Sequence, residues 1–235
     1  MIKSFIKIFF ILIVSFIFSI LIIILTPIDY KHKVSTLFIK GWAKSLLIIS
    51  FVKIKTVGVE NIKNNQNYIY IGNHSSFYDI LIVLSTIPGD VRFVAKKQIF
   101  YIPFFGWAMW SSGFISIDRS RGIKAMRSLE EAATKIRNGI SVVMFADGTR
   151  SKDGSIQPFK RGAFLLAGKT NVPIIPVTIN GAEKILPKGT LHLSGGEIEI
   201  VFDQEIQTLN INSKNDEIEL LEKVRNVIIK NKKGV

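Results

Sequence analysis

Tyr68-Ile69-Tyr70-Ile71-Gly72-Asn73-His74-Ser75-Ser76-Phe77-Tyr78-Asp79 ends a strand-like run with a histidine and follows it, five residues later, with a carboxylate. Tyr68–Gly72 has the apolar, aromatic character of a buried strand, and Ile80-Leu81-Ile82-Val83-Leu84 continues as an apolar helix whose first turn holds Asp79. Imidazole is the only side chain whose unperturbed pKa lies near neutrality, so a histidine at a strand's carboxyl end can take a proton at cellular pH. A carboxylate bonded to one ring nitrogen fixes the tautomer and stabilises the imidazolium. Five residues along a regular helix would point the two side chains apart. The pair meets only if His74 lies in the loop and Asp79 just inside the helix. By themselves the two residues also fit a strand end and a helix cap, and so short a pattern does not separate these alternatives.

Around this stretch, short apolar strands alternate with helical patterns. Strands are expected at 52–59, 68–72, 92–95, 113–117, 141–145, 174–179 and 198–202, and helices at 79–86, 122–138, 159–170 and 215–230. Helices that separate strands imply an α/β fold, a largely parallel central sheet covered by helices on both faces. Loops at the carboxyl ends of such strands form the usual ligand crevice, and His74 stands at one of them. The 235 residues fit one domain of about 180 residues with an appendage.

The appendage is N-terminal. Ile8 to Leu25 is an almost unbroken run of Ile, Leu, Phe and Val, interrupted at Ser15 and Ser19. As a helix it rises about 27 Å, close to the hydrocarbon thickness of a bilayer. Lys3 and Lys7 also suit a signal peptide, but the run is long for one and Leu25-Thr26-Pro27 offers no small-residue cleavage site. Pro27 ends the helix. Residues 31–50 then place Leu37, Phe38, Trp42, Leu46 and Leu47 among Lys31, Lys33, Lys40 and Lys44. That pattern suits the headgroup region, the alternative being an ordinary domain helix with a solvated lysine face. Residues 1–50 are expected to anchor the chain, crossing once or dipping into one leaflet, with residues 51–235 forming the main domain.

A formal charge of +13 calls for an anionic partner: nucleic acid, an anionic bilayer or a phosphate-bearing substrate. Nothing in the chain matches a nucleic-acid-reading motif, so no nucleic acid is expected. The absence of cysteine excludes a disulfide, a thiolate zinc site and a cysteinyl acyl-enzyme. His32, His74 and His192 form no ligand-spaced cluster, so no metal is expected.

Three further blocks follow the first. Gly113-Phe114-Ile115-Ser116-Ile117-Asp118-Arg119 ends a strand in an acid and an arginine. A guanidinium recognises phosphate in a planar, bidentate way, although a surface Asp-Arg at a strand exit looks the same. In Phe145-Ala146-Asp147-Gly148-Thr149-Arg150-Ser151, Asp147-Gly148 makes a turn, Gly148 permits close backbone approach and Arg150 offers a second guanidinium. Phe159-Lys160-Arg161 then starts a helix whose N–H groups, with Lys160, can add to anion binding. Finally, Val172-Pro173-Ile174-Ile175-Pro176-Val177 sets two prolines around a short apolar strand.

In their order and spacing these blocks, spanning residues 73–177, resemble the signatures of the glycerolipid acyltransferases related to 1-acyl-sn-glycerol-3-phosphate acyltransferase. The first is the family's Asn-His-x4-Asp. The third departs from the usual Phe-Pro-Glu-Gly-Thr-Arg: Ala146 loses the fixed φ of proline, and Asp147 keeps the charge one methylene shorter. The resemblance implies His74 and Asp79 as the catalytic pair, and Arg119, Asp147, Gly148, Thr149, Arg150 and Lys160 as substrate-binding residues. It implies the glycerolipid acyltransferase fold, with 51–235 as its catalytic domain at a bacterial-type inner membrane, and the lysine density downstream of the apolar run favours a domain facing the cytoplasm.

The implied reaction moves a fatty acyl group from acyl-CoA or acyl-acyl carrier protein, as co-substrate without a cofactor, to the sn-2 hydroxyl of a lysophosphatidic acid-type acceptor, giving phosphatidic acid. His74 would serve as general base, and the acceptor hydroxyl is itself the nucleophile, so no seryl-enzyme is needed. Both substrates and anionic membrane lipid suit the charge. The third block's departure leaves another lysophospholipid, glycerol 3-phosphate or a lyso-aminolipid open as acceptor. A membrane-tethered basic binding module without catalysis is the alternative from another class.

Overall fold

The structure, a computed structural model, describes residues 2–29, 32–118 and 123–234, with Lys124 and Ala125 described in backbone only. Seven strands form one sheet: β1 (Val52–Val57), β2 (Ile69–Gly72), β3 (Val91–Lys96), β4 (Ile115–Ile117), β5 (Ser141–Phe145), β6 (Ile174–Asn180) and β7 (Gly196–Phe202). Their spatial order is β1-β7-β6-β2-β5-β3-β4, and every neighbouring pair is parallel except β6 with β7. The helices are α1 (Ile2–Leu25), α2 (Lys33–Ile49), α3 (Tyr78–Thr86), α4 (Phe105–Ser111), α5 (Ile123–Arg137), α6 (Gly162–Thr170), α7 (Ala182–Ile185) and α8 (Lys214–Asn231).

The period-2 alternation of a strand sorts β2 between two cores. Tyr68 and Tyr70 face a layer built with α2 and α3, while Ile69 and Ile71 face a layer built with α5, α6 and α8. All four are essentially inaccessible, and each apolar side chain so buried contributes about 1.5–3 kcal/mol. A strand covered on both faces reads as a continuous apolar run, which is what 68–71 shows.

Register brings the functional loops together. Gly72 stands opposite Phe145 on one side and Val177 on the other, so the segments after β2 and β5 leave the sheet edge side by side. The Ala146 N–H extends this ladder by donating to Gly72 O at 3.2 Å. A proline at position 146 would have no N–H to give. The departure from the family's Pro therefore adds a rung between the two loops.

α1 is largely apolar, and its two faces have different neighbours. Ile8, Ile11, Val14 and Phe18 pack into the α2–α3 layer, whereas Phe5, Phe9, Leu12 and Phe16 point outward. Phe16 touches Phe104, which touches Trp107, so the outward apolar face continues onto α4. By length and composition, Ile2–Ile28 can cross a membrane. Polar ties hold it to the body along its length: Trp42 Nε1 donates to Ser15 Oγ at 2.9 Å, Leu193 N to Ser4 Oγ at 3.2 Å, and Lys7 Nζ to Ser50 O at 3.3 Å. Trp42, whose setting suggested the headgroup region, is buried inward instead, its ring tilted against Phe105.

Several element bounds shift by a few residues from the sequence-based expectation, and two differences bear on the site. α6 begins at Gly162 rather than Phe159, because the Lys160 N–H pairs with Ala146 O at 2.7 Å and prolongs the β5 edge. The aromatic stretch 99–110 turns out to hold α4, a helix too short for its period to show.

Candidate active site

His74 lies in the loop after β2, and Asp79 in the first turn of α3. That placement lets the side chains meet, with Nδ1 and Oδ2 2.8 Å apart. The same Oδ2 accepts the Ser75 and Ser76 N–H groups at 2.7 and 2.8 Å. An oxygen already accepting two N–H groups acts as acceptor toward the ring as well. Nδ1 therefore carries the proton, and Nε2 is the ring nitrogen left for the cavity that His74 lines. Phe145 lies flat on the imidazole, centroids 4.1 Å apart and planes within 7°, so the ring is held on its face as well as its edge.

The two serines beside the base are spoken for. Ser75 Oγ donates to Glu183 Oε2 at 3.3 Å and Ser76 Oγ to Leu186 O at 2.9 Å, and both residues are buried. Asn73 fixes the loop from behind, its amide bridging both Ile179 N and Ile179 O on β6.

The loop after β5 closes over the same place. Asp147 Oδ2 accepts the His74 N–H at 2.9 Å, and Ser151 N donates to His74 O at 2.8 Å. Asp147 Oδ1 is buried without a hydrogen-bond partner among the described residues. Burial pushes the Asp147 carboxyl up from 3.8 to about 6, against the lowering effect of the His74 N–H. Gly148 has φ +70°, which favours glycine, and a Cβ there would sit 3.0 Å from Lys160 Cδ and push that side chain aside.

The raised Asp147 pKa carries a stability prediction. Between 3.8 and about 6 the folded protein keeps a proton that the unfolded chain has released, so stability falls as pH rises through that window and stays lower above it. Asp147→Asn keeps the acceptor for His74 N–H and removes the buried charge. It is expected to be more stable than the parent at pH 7.5 by about 1–3 kcal/mol, with no advantage at pH 4. Thermal melts at the two pH values check this, and a less stable variant at pH 7.5 would refute the burial account.

His74, Phe145, Gly148, Thr149 and Arg150 line one cavity of about 470 Å³. Its apolar walls come from the four helices packed on one face of the sheet: Phe18 and Ile22 on α1, Ile39 and Trp42 on α2, Ile80 and Leu84 on α3, Ala108 and Met109 on α4. Lys96, Arg150 and Lys188 line it too, and Lys188 Nζ donates to Arg150 O at 2.6 Å. A base, cationic groups and a long apolar chamber thus share one space.

A family model described as Acyltransferase matches residues 53–180. The chain belongs to the acyltransferase family. Relatives of this acyltransferase include a chloroplast 1-acyl-sn-glycerol-3-phosphate acyltransferase of Brassica napus, 37% identical over 179 residues, or 75% of this chain and 52% of that protein. The human 1-acyl-sn-glycerol-3-phosphate acyltransferase alpha is 31% identical over 150 residues, 63% of this chain and 53% of its own length. The chain spans about half the length of the curated relatives it matches. The crystal structure of the 1-acyl-sn-glycerophosphate acyltransferase of Thermotoga maritima superposes with a TM-score of 0.82 at 25% identity, covering 97% of this chain and 92% of that one.

Of the residues expected at the acyltransferase site, His74, Asp79, Asp147, Gly148, Thr149 and Arg150 come together. Lys160 packs beside Gly148 but does not line the cavity, and its N–H is spent on Ala146 rather than free for an anion. Arg119 lies outside the described residues. Phe145 under the imidazole and Lys188 beside Arg150 are additions. The first is signalled only by strand register, and nothing local in the sequence marks the second.

Proposed function

We propose that this acyltransferase moves a fatty acyl group from a thioester, acyl-CoA or acyl-acyl carrier protein, to the sn-2 hydroxyl of 1-acyl-sn-glycerol 3-phosphate. The observation that carries the proposal is His74, its Nδ1 held by Asp79, opening into a largely apolar chamber that Lys96, Arg150 and Lys188 also line. His74 Nε2 takes the proton of the acceptor hydroxyl as that oxygen bonds to the thioester carbonyl carbon. The tetrahedral adduct collapses, the C–S bond breaks, and the imidazolium returns its proton to the departing thiolate. Asp79 stabilises the imidazolium between these steps. The engaged hydroxyls of Ser75 and Ser76 favour direct transfer over a seryl intermediate. Their N–H groups, bound to Asp79, are not oxyanion donors.

The chamber suits an acyl chain, and its shape gives a prediction. Ala108 is a buried lining residue on α4. Ala108→Leu adds bulk to the chamber, so preference is expected to shift toward shorter acyl donors while the protein stays folded. An unchanged chain-length profile would show that the acyl chain lies elsewhere.

Residues 1–50 serve as the anchor in this proposal, with 51–235 carrying the chemistry on the cytoplasmic side of an anionic bilayer. The ties of Ser4 to Leu193 and of Ser15 to Trp42 favour α1 lying in one leaflet with the body against it, since crossing alone would break them. Purified protein in detergent or lipid, given lysophosphatidic acid, glycerol 3-phosphate and other lyso-acceptors with each donor, tests the reading. Transfer to lysophosphatidic acid is the expected result, and failure with every acceptor and both donors would remove the enzymatic account.

A further inference from the structure

Most cations of this chain that meet a carboxylate do so away from the cavity: Lys55, Lys63, Arg92, Arg161, Lys169 and Lys233 each pair with Asp or Glu. Lys96, Arg150 and Lys188, which line the cavity, have no such ion pair among the described residues. Positive charges gathered around a concave space without counter-charges of their own raise the local affinity for an anion.

Lys188 is the least expected of the three, because it lies beyond residue 180, where the family match ends. Its place is nevertheless fixed by both functional loops. Two residues earlier, Leu186 O accepts the Ser76 hydroxyl at 2.9 Å, tying the segment to the His74 loop. Lys188 Nζ itself donates to Arg150 O at 2.6 Å, tying it to the loop after β5. An ammonium has three N–H donors, and Arg150 O takes one. The side chain is half-buried and borders the cavity, so the remaining donors are held beside the Arg150 segment.

We propose that Lys188 is an anion-binding residue that takes a phosphate group of a bound substrate, acting beside Arg150 in the cavity lining. This rests on the acyl-transfer reading, in which acceptor and donor both bring phosphate. A charge-assisted bond to a phosphate oxygen discriminates strongly between a cationic and a neutral side chain. Holding Arg150 O is a second task that any hydrogen-bond donor of suitable reach performs.

Lys188→Gln keeps an N–H donor and removes the charge, and Lys188→Arg keeps the charge. Steady-state kinetics with 1-acyl-glycerol 3-phosphate and acyl-CoA are expected to show KM for one substrate rising about tenfold in the Gln variant. The expected kcat stays within about twofold of the parent, and the Arg variant recovers most of the KM. A rise for the acceptor places its phosphate at Lys188, and a rise for the donor places the carrier's phosphate there. Unchanged KM values for both, or a fall in kcat that Arg does not rescue, overturns the assignment in favour of a loop staple. A second measurement needs no turnover: inorganic phosphate should raise the melting temperature of the parent protein and not that of Lys188→Gln. A shift absent from the parent, or equal in both, counts against the inference. Should the parent bind phosphate through Lys188 yet transfer no acyl group, the site stands and the reaction falls.

Discussion

His74→Ala is expected to lower kcat by about 10³- to 10⁴-fold, the range lost when a positioned general base is removed. KM for either substrate should change little, because the ring holds the proton in flight rather than the phosphate or the acyl chain. The fold should survive. Asp79 Oδ2 still receives the Ser75 and Ser76 N–H groups, and the Asp147 bond to position 74 is to the backbone. Turnover measured beside a thermal melt checks both halves. A folded variant with near-parental turnover would remove His74 from the chemistry.

Asp79→Asn should cost nearly as much, about 10²- to 10⁴-fold in kcat, for a different reason. An amide oxygen can take the place of Oδ2 and keep both backbone bonds, but it brings no negative charge to meet the imidazolium. Asp79→Ala would add structural damage. It leaves the Ser75 and Ser76 N–H groups without their acceptor in a wholly buried place, at about 1–3 kcal/mol each. Comparing the two variants separates the electrostatic role from the scaffolding one. An Asn variant with parental kcat and an Ala variant that merely melts early would reduce Asp79 to a helix cap.

The sheet was legible because its strands are covered on both faces, so runs such as Ile69–Ile71 and Ile174–Val177 carry no polar interruption. The placement of His74 and Asp79 followed from the same boundary, one residue in a loop and one in a first helical turn. Register was not legible. That Gly72 stands level with Phe145 is a property of pairing, and it alone puts Phe145 under the imidazole and Asp147 on the His74 N–H. The cavity was hidden for a similar reason. Its walls come from residues as far apart as Phe18 and Lys188, joined only by packing. Trp42 misled because an aromatic among lysines fits a headgroup region as well as a core, and only α1, by covering it, decides between them. The Lys160 N–H reads in the sequence as part of a helix start, whereas it pairs with Ala146 O, a bond between loops that local sequence does not mark.

Because Phe18, Ile22, Ile39 and Trp42 close the chamber that His74 opens into, the first fifty residues are not a detachable handle. Trimming them to obtain a soluble form would unroof the reaction space and flood it with water. An inert truncation would then report the missing roof, and would say nothing about whether the reaction itself needs a bilayer.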